Sequence, residues 1–241
     1  MNDIPTLLDW TDNLVRGLGI TLLVTALGTV LMLLVSVFLG LLARSSNLLS
    51  RGSARVVIEF FRGTSLPIQL WWLFFALPLL GIKFDPILVG VLAFGLNYGA
   101  YGAEVVRGSL EAVPRPQWEA AVALNLSPTQ RMTRVVWPQA IALMIPSMNN
   151  LFIQLLKSTP LLYTISLVDL MTMGESFHEA GGDRTLIYLV LMAIYFVLAY
   201  AVTLLSNMAE VAVKARLGRH EGLRSVFRLR KPVPQEEVTI R

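Results

Sequence analysis

Residues 108–138 read GSLEAVPRPQWEAAVALNLSPTQRMTRVVWP, a polar stretch of about thirty residues set between two apolar ones. Connections that long are usually functional or carry structure of their own, and here the punctuation predicts two helices. The segment PQWEAAVAL (116–124) is alanine-rich and helix-prone. It stops at Asn125, a residue type that tolerates the left-handed backbone just past a helix end. Ser127 then fits an N-cap, Pro128 the first helical position and Gln130 the third position of a capping box. The helix they open is expected to end by Pro138. Two short helices joined by a sharp bend form a rigid knob that a groove on a partner can seat.

On either side of this segment the chain turns apolar. Of its 241 residues 55% are hydrophobic and only 15% charged, against about 25% charged in a soluble domain, so much of the surface faces something other than water. Residues 19–43 contain no charge, enough at ~1.5 Å per residue to cross a hydrocarbon layer of ~30 Å. Further apolar stretches run over 56–82, 86–103, 139–156 and 185–207, the fourth of the five interrupted by Pro146. Backbone groups in lipid must pair within the segment, which makes each stretch a helix. The fold class is therefore an all-α membrane protein with about five transmembrane helices. Residues 19–207 make the membrane domain, with the polar loop 108–138 inside it. Residues 1–18 are expected to lie at the outer interface, because Leu7, Leu8, Leu14 and Leu18 alternate with Asp9, Asp12 and Arg16 as in a short amphipathic helix. The first ten residues carry Asp3 and Asp9 and no basic residue, so no cleavable signal is expected.

Lysine and arginine set the orientation. Fifteen of the twenty fall in the loop after the first span (Arg44, Arg51, Arg55), in the 108–138 region (Arg107, Arg115, Arg131, Arg134) and in the tail 208–241. The positive-inside rule places that side in the cytoplasm, with the N-terminus outside and a basic cytoplasmic tail. The chain is expected in a bacterial cytoplasmic (inner) membrane, in contact with the lipid bilayer, and the tail is read as a solvated, lipid-facing segment.

Several chemistries are excluded. There is no cysteine, and His178 and His220 stand alone without a metal-ligand spacing; no metal site is expected. No nucleophile–base pair, shared carboxylate cleft or GxxxxGK[ST] phosphate loop is present, so the chain is not expected to be an enzyme or to bind ATP itself, and nothing points to nucleic acid. Residues 161–173 are apolar but too short to span and are expected at the interface or partly re-entrant, followed by His178 and Glu179 in a solvated loop.

Polar residues inside the spans are candidate contacts. Asn150, Gln154 and Pro146 recur every four residues on one face, with Asn149 and Lys157 beside it. Pro146 frees a carbonyl, as tolerated beside a cavity. Asn97 and Tyr101 share a face of the third span. All of these either line a solute pathway or bond neighbouring helices at ~0.6 kcal/mol each. Glu59 and Arg62, spaced i, i+3, are suited to an ion pair at a gating interface near the membrane surface.

Glu119-Ala120-Ala121, then Asn125, then VVWP (135–138) resembles the EAA motif of the permease subunits of ATP-binding-cassette importers, whose pattern is EAA, three residues, Gly, nine residues, I-x-L-P. Asn125, Val135 and Trp137 replace its glycine, isoleucine and leucine. LVRGLGITLLVT (14–25), IEFFRGTSLPIQL (58–70), GAYGAEVVRG (99–108), PQA (138–140) and LKSTPL (156–161) look like the signatures of the polar-amino-acid branch of that family. WWLFFALPLLGI (71–82) is similar to permeases for ectoine and hydroxyectoine. Where the branch commonly has Thr-Pro-Leu-Leu and Lys-Asp-Thr-Ser-Leu, this chain has Thr64-Ser65-Leu66-Pro67 and Lys157-Ser158-Thr159-Pro160-Leu161, a poorer fit to glutamate or a basic amino acid.

The resemblance implies a type I importer permease that works as a dimer, with the same chain or a sister chain as second permease subunit. It further implies two ATP-binding subunits that use ATP and Mg, and an extracytoplasmic solute-binding protein. Glu119, Ala120, Ala121, Asn125, Ser127 and Pro138 would belong to the coupling loop seated in the ATPase. The solute would be small, polar and amino-acid-like, ectoine or hydroxyectoine, with glutamate, glutamine or arginine as alternatives. A stand-alone secondary transporter is the further alternative, and it leaves the knob without a purpose.

Overall fold

A computed structural model describes residues 6–216, which are helical throughout with no strand; His220 and most of the basic tail lie outside the described residues. The first helix, α1 (Thr11–Leu42), continues without a break through the segment read as interfacial. No proline interrupts it, and Leu14 and Leu18 pack with Trp10 against Phe177, Leu170 and Ile187.

The second apolar stretch is not one rod. It divides into α2 (Leu48–Gly63) and α3 (Leu66–Trp71), the latter continued by a wide π turn (Trp72–Ala76) and a 3-10 turn (Leu77–Leu80). The two halves meet at 101°. Thr64 and Ser65 are extended at the bend, and Pro67 sits in the first turn of α3, so the chain restarts there because proline cannot accept a preceding helix.

The third stretch forms α4 (Pro86–Glu111), opened by the Asp85 side chain bonding the Ile87 N–H. It runs past the expected end at Ala103, because Arg107 neutralises both Glu104 (2.6 Å) and Glu111 (2.9 Å) one turn away on either side. Helices α1 and α4 lie side by side in the same direction. Gly90 faces Val24, Gly95 faces Leu31, Gly99 faces Val35, and Gly40 faces Ala103 and Val106. A Cβ on Gly95 would stand 2.5 Å from Leu31 Cδ2 and one on Gly99 2.6 Å from Val35 Cγ1, so these small residues let the two backbones approach closely. Ser36 Oγ bridges the pair by donating to the Gly99 carbonyl (3.2 Å).

This register constrains the path between the two helices. A chain that leaves α1 at one end and enters a parallel α4 at the other must return between them, and α2 with α3 is the return. Four helices among the described residues are long and apolar enough to cross a membrane, five where the bent pair counts as one span.

After α4 come α5 (Arg115–Ala123), one short turn α6 (Pro128–Gln130), a π turn (Arg131–Val136) and α7 (Trp137–Ser158). The last three are continuous, so the second helix of the polar loop does not end by Pro138; it is the start of the fourth span. The π turn absorbs Pro138, whose ring and missing N–H would disrupt a regular helix, and Gln139 Nε2 donates to the Val135 carbonyl there (3.0 Å). Beyond α7 a 3-10 turn (Thr159–Ile165) leads to α8 (Leu170–Glu179) and α9 (Arg184–Arg216). His178 and Glu179 thus close a helix instead of lying in a loop. Asp169 caps α8 through the Thr172 N–H (2.9 Å) and hydroxyl (2.6 Å) and is fully buried; burial pushes its carboxyl above the usual carboxylate range. The core is centred on α4, where Phe94, Ala100, Val106 and Leu110 are inaccessible among residues of α1, α3 and α7.

Candidate functional site

Two places gather the polar residues singled out in the sequence. The first is the α5 loop. Val113, buried, anchors its start beneath Trp118 and Val136. At its end Leu126 N–H donates to the Ala121 carbonyl (3.1 Å) and Asn125 N–H to the Val122 carbonyl (2.9 Å), the paired bonds of a Schellman ending with Asn125 in the left-handed position at φ 53°. Ser127 follows with both halves of the capping box, Gln130 N–H to Ser127 Oγ (3.3 Å) and Ser127 N–H to Gln130 Oε1 (3.0 Å). Gln139 also donates to Gln117 (3.3 Å), tying α5 to the base of the fourth span. The bend is therefore fixed by backbone bonds at Asn125 and Leu126 and by side-chain caps at Ser127 and Gln130. Ala121 turns inward, while Glu119, Ala120, Val122 (50% exposed) and Leu124 (73% exposed) face out. Two aliphatic side chains, Val122 and Leu124, are thus held in the open beside the Glu119 carboxylate on a fixed turn.

The second is the break between α2 and α3. A helix that stops leaves its last carbonyls without helix partners, and here side chains supply the donors. Phe60 O takes the Thr64 N–H (3.2 Å) and hydroxyl (2.7 Å). Phe61 O takes Gln69 Nε2 (3.0 Å) and Asn97 Nδ2 (3.0 Å), and Arg62 O takes the Tyr101 hydroxyl (3.2 Å). Gln69 Nε2 also reaches Thr64 Oγ1 (2.6 Å), and its Oε1 accepts from Asn97 (3.3 Å). Gln69 and Asn97 are buried at 8% and 5% exposure. Asn97 and Tyr101 thus cap the broken helix from α4. Arg62 pairs with Glu59 (3.2 Å) as the spacing predicts and lies over the Tyr101 ring at 5.5 Å. A cavity of about 340 Å³ opens at the same break, lined in part by Phe60, Phe61, Thr64, Gln69, Trp72 and Leu96.

Asn150, Gln154 and Lys157 do share a face of α7, and with Ser147 they form an exposed polar stripe. Asn149 sits beside it with a buried Oδ1 that has no partner among the described residues. The structure does not bring this stripe together with Asn97 and Tyr101 at the α2–α3 break. Tyr98 links α4 to the end of α7, its hydroxyl at 2.6 Å from Ser158 Oγ. Sequence reasoning missed Thr64 and Gln69; the cluster Gly63-Thr64-Ser65 followed by Pro67 was the breaker signal that locates them. No group of three or more His, Asp or Glu suited to a metal occurs among the described residues.

Residues 9–216 match the family model described as "Binding-protein-dependent transport system inner membrane component". The chain is 40% identical to the probable amino-acid ABC transporter permease protein y4tF of Sinorhizobium fredii over 86% of its own length and 90% of that protein's. It is 37% identical to the probable amino-acid ABC transporter permease protein y4tG of the same organism, over 68% and 71% of the two chains. A crystal structure of an amino acid ABC transporter with histidines shares the fold at a TM-score of 0.80 with 30% identity, covering 87% of this chain and 98% of that one.

Proposed function

We propose, for a chain that belongs to the family of binding-protein-dependent transport system inner membrane components, that it is the permease subunit of an ATP-driven importer of a small polar amino-acid-like solute. The observation that carries this reading is the α5 loop, a bend locked by the Asn125 ending and the Ser127–Gln130 box that presents Glu119, Val122 and Leu124 outward. A rigid turn of that kind suits seating in an ATPase subunit and passing its closure on ATP and Mg to α7, with which the loop is continuous. The exposed stripe of Asn150, Gln154 and Lys157 then faces a second permease subunit, the same chain or a sister chain, and lines the route of a solute delivered by an extracytoplasmic binding protein. Closure must favour one of two states of the spans, since coupling requires unequal contacts in each.

The finer reading is ectoine or hydroxyectoine. The resemblance of residues 71–82 supports it, and so does the chemistry of the cavity at the break. Phe60, Phe61 and Trp72 offer ring faces in a wall that is otherwise apolar, the polar atoms of Thr64 and Gln69 being engaged within the break. Ring faces attract a delocalised cation, and ectoine is a zwitterion with a cyclic amidinium and one carboxylate. Uptake of labelled ectoine in cells carrying and lacking the chain, with unlabelled hydroxyectoine, glutamate, glutamine and arginine as competitors, tests it. Ectoine uptake that depends on the chain and is suppressed only by hydroxyectoine is expected. Suppression by glutamine or arginine at equal concentration would move the assignment to a proteinogenic amino acid.

A further inference from the structure

The helix α1 touches both faces of the membrane domain. At its far end, just past the C-cap Ala43, Arg44 lies with its guanidinium carbon 5.8 Å from the centre of the Trp118 ring on α5. Its Nη1 is buried with no hydrogen-bond partner among the described residues. Trp118 immediately precedes Glu119. At its near end α1 is bonded to α8: the N-cap Trp10 donates its indole N–H to the Met173 carbonyl (3.0 Å) and packs edge-on against Phe177. About three turns further on, Thr21 Oγ1 accepts the Leu170 N–H (3.1 Å). Gly17 lies so close to the Asp169 carbonyl that a Cβ would stand 2.7 Å from it.

Between those ends run 32 residues without a proline or a break, a length of about 48 Å at ~1.5 Å per residue. The small-residue contact with α4 holds the shaft along its length. The return span is bent at 101°, and α7 contains Pro146 and begins in a π turn; both have points at which a displacement is absorbed. A closely packed, unbroken helix moves as a body instead of deforming.

We infer that α1 is a relay strut, with Arg44 and Trp10 as the positioning residues at its two ends, through which movement of the α5 loop is passed to α8 on the opposite face and the reverse. The inference rests on the importer reading of the α5 loop and adds to it how an event at one membrane face is reported at the other. By reciprocity, occupancy at the α8 face must bias the α5 loop by the same coupling free energy.

The test uses the complete complex in lipid nanodiscs, measuring basal ATPase activity and its stimulation by solute-loaded binding protein. Arg44→Gln and Trp10→Phe are each expected to retain the ATPase subunits and the basal rate and to lose stimulation by about fivefold or more, the size of a typical inter-site coupling. Arg44→Lys, which keeps a cation over the ring, is expected to restore most of it. Full stimulation in both Arg44→Gln and Trp10→Phe overturns the relay. Loss of the ATPase subunits from the Arg44→Gln complex also overturns it, by placing Arg44 in docking. Absence of any ATPase from the wild-type preparation is a different result, which removes the importer reading itself.

Discussion

The α5 loop and the α2–α3 break are both sharp bends made of satisfied backbone groups, yet they are built on different plans. In the loop the bonds that turn the chain come from residues within a few positions: Asn125 and Leu126 bond back to Val122 and Ala121, and Ser127 and Gln130 bond each other. At the break the carbonyls of Phe61 and Arg62 are met by Asn97 and Tyr101, 36 and 39 residues away. A bend in water can be closed locally because solvent takes whatever remains. The bend in the apolar stretch adds to its own donors, Thr64 and Gln69, two more from the neighbouring α4.

The largest separation of the two comes from Glu119→Lys, which is expected to abolish uptake while the chain still inserts and is recovered from membranes in normal amount. Vesicle uptake beside an immunoblot reads both; normal uptake would remove the α5 face from the mechanism. Asn97→Leu attacks the other bend. It leaves a buried acceptor short of one donor and is expected to destabilise the chain by about 1–3 kcal/mol, seen as an earlier thermal transition of the purified complex. An unchanged transition would mean that the break is held by Gln69 and Thr64 alone.

The two plans also explain what could be read from the sequence. The loop was legible to the residue: the Asn125 ending, the Ser127 cap, Pro128 at the first position and Gln130 closing the box all follow from local rules. Its length was not, since nothing nearby shows that a π turn carries the helix through Pro138 into the span. The five crossings were legible as apolar stretches. The bend in the second was not weighed, although Gly63, Thr64, Ser65 and Pro67 stand together there. Asn97 and Tyr101 were found as polar residues in an apolar helix, but their partners are carbonyls, and every residue has one. No side-chain pattern marks which carbonyl lacks its own helix bond. The Glu59–Arg62 pair needed only its i, i+3 spacing.

Smaller effects sharpen the contrast. At Asn125, valine must hold φ 53° against its own side chain, a strain of about 1–2 kcal/mol, whereas glycine meets none. Asn125→Val is expected to lower uptake, and Asn125→Gly to leave it unchanged; equal activity of the two would show that the ending tolerates rearrangement. Smallest is Asn150→Ala on the exposed stripe of α7. One polar contact in a membrane is worth ~0.6 kcal/mol, so apparent affinity for the solute should fall by about threefold with basal ATPase activity unchanged. A collapse of basal activity with affinity intact would make the stripe structural.

The central claim is that the α5 loop engages an ATPase. It is tested most directly by tagging the chain, recovering it from its native membrane and measuring ATP hydrolysis as solute-loaded binding protein is added. A co-purifying ATPase is expected, with a rate that rises with the loaded protein and that is lost when the chain carries Glu119→Lys. A chain recovered without any ATPase, in cells whose uptake continues on an ion gradient alone, would contradict it.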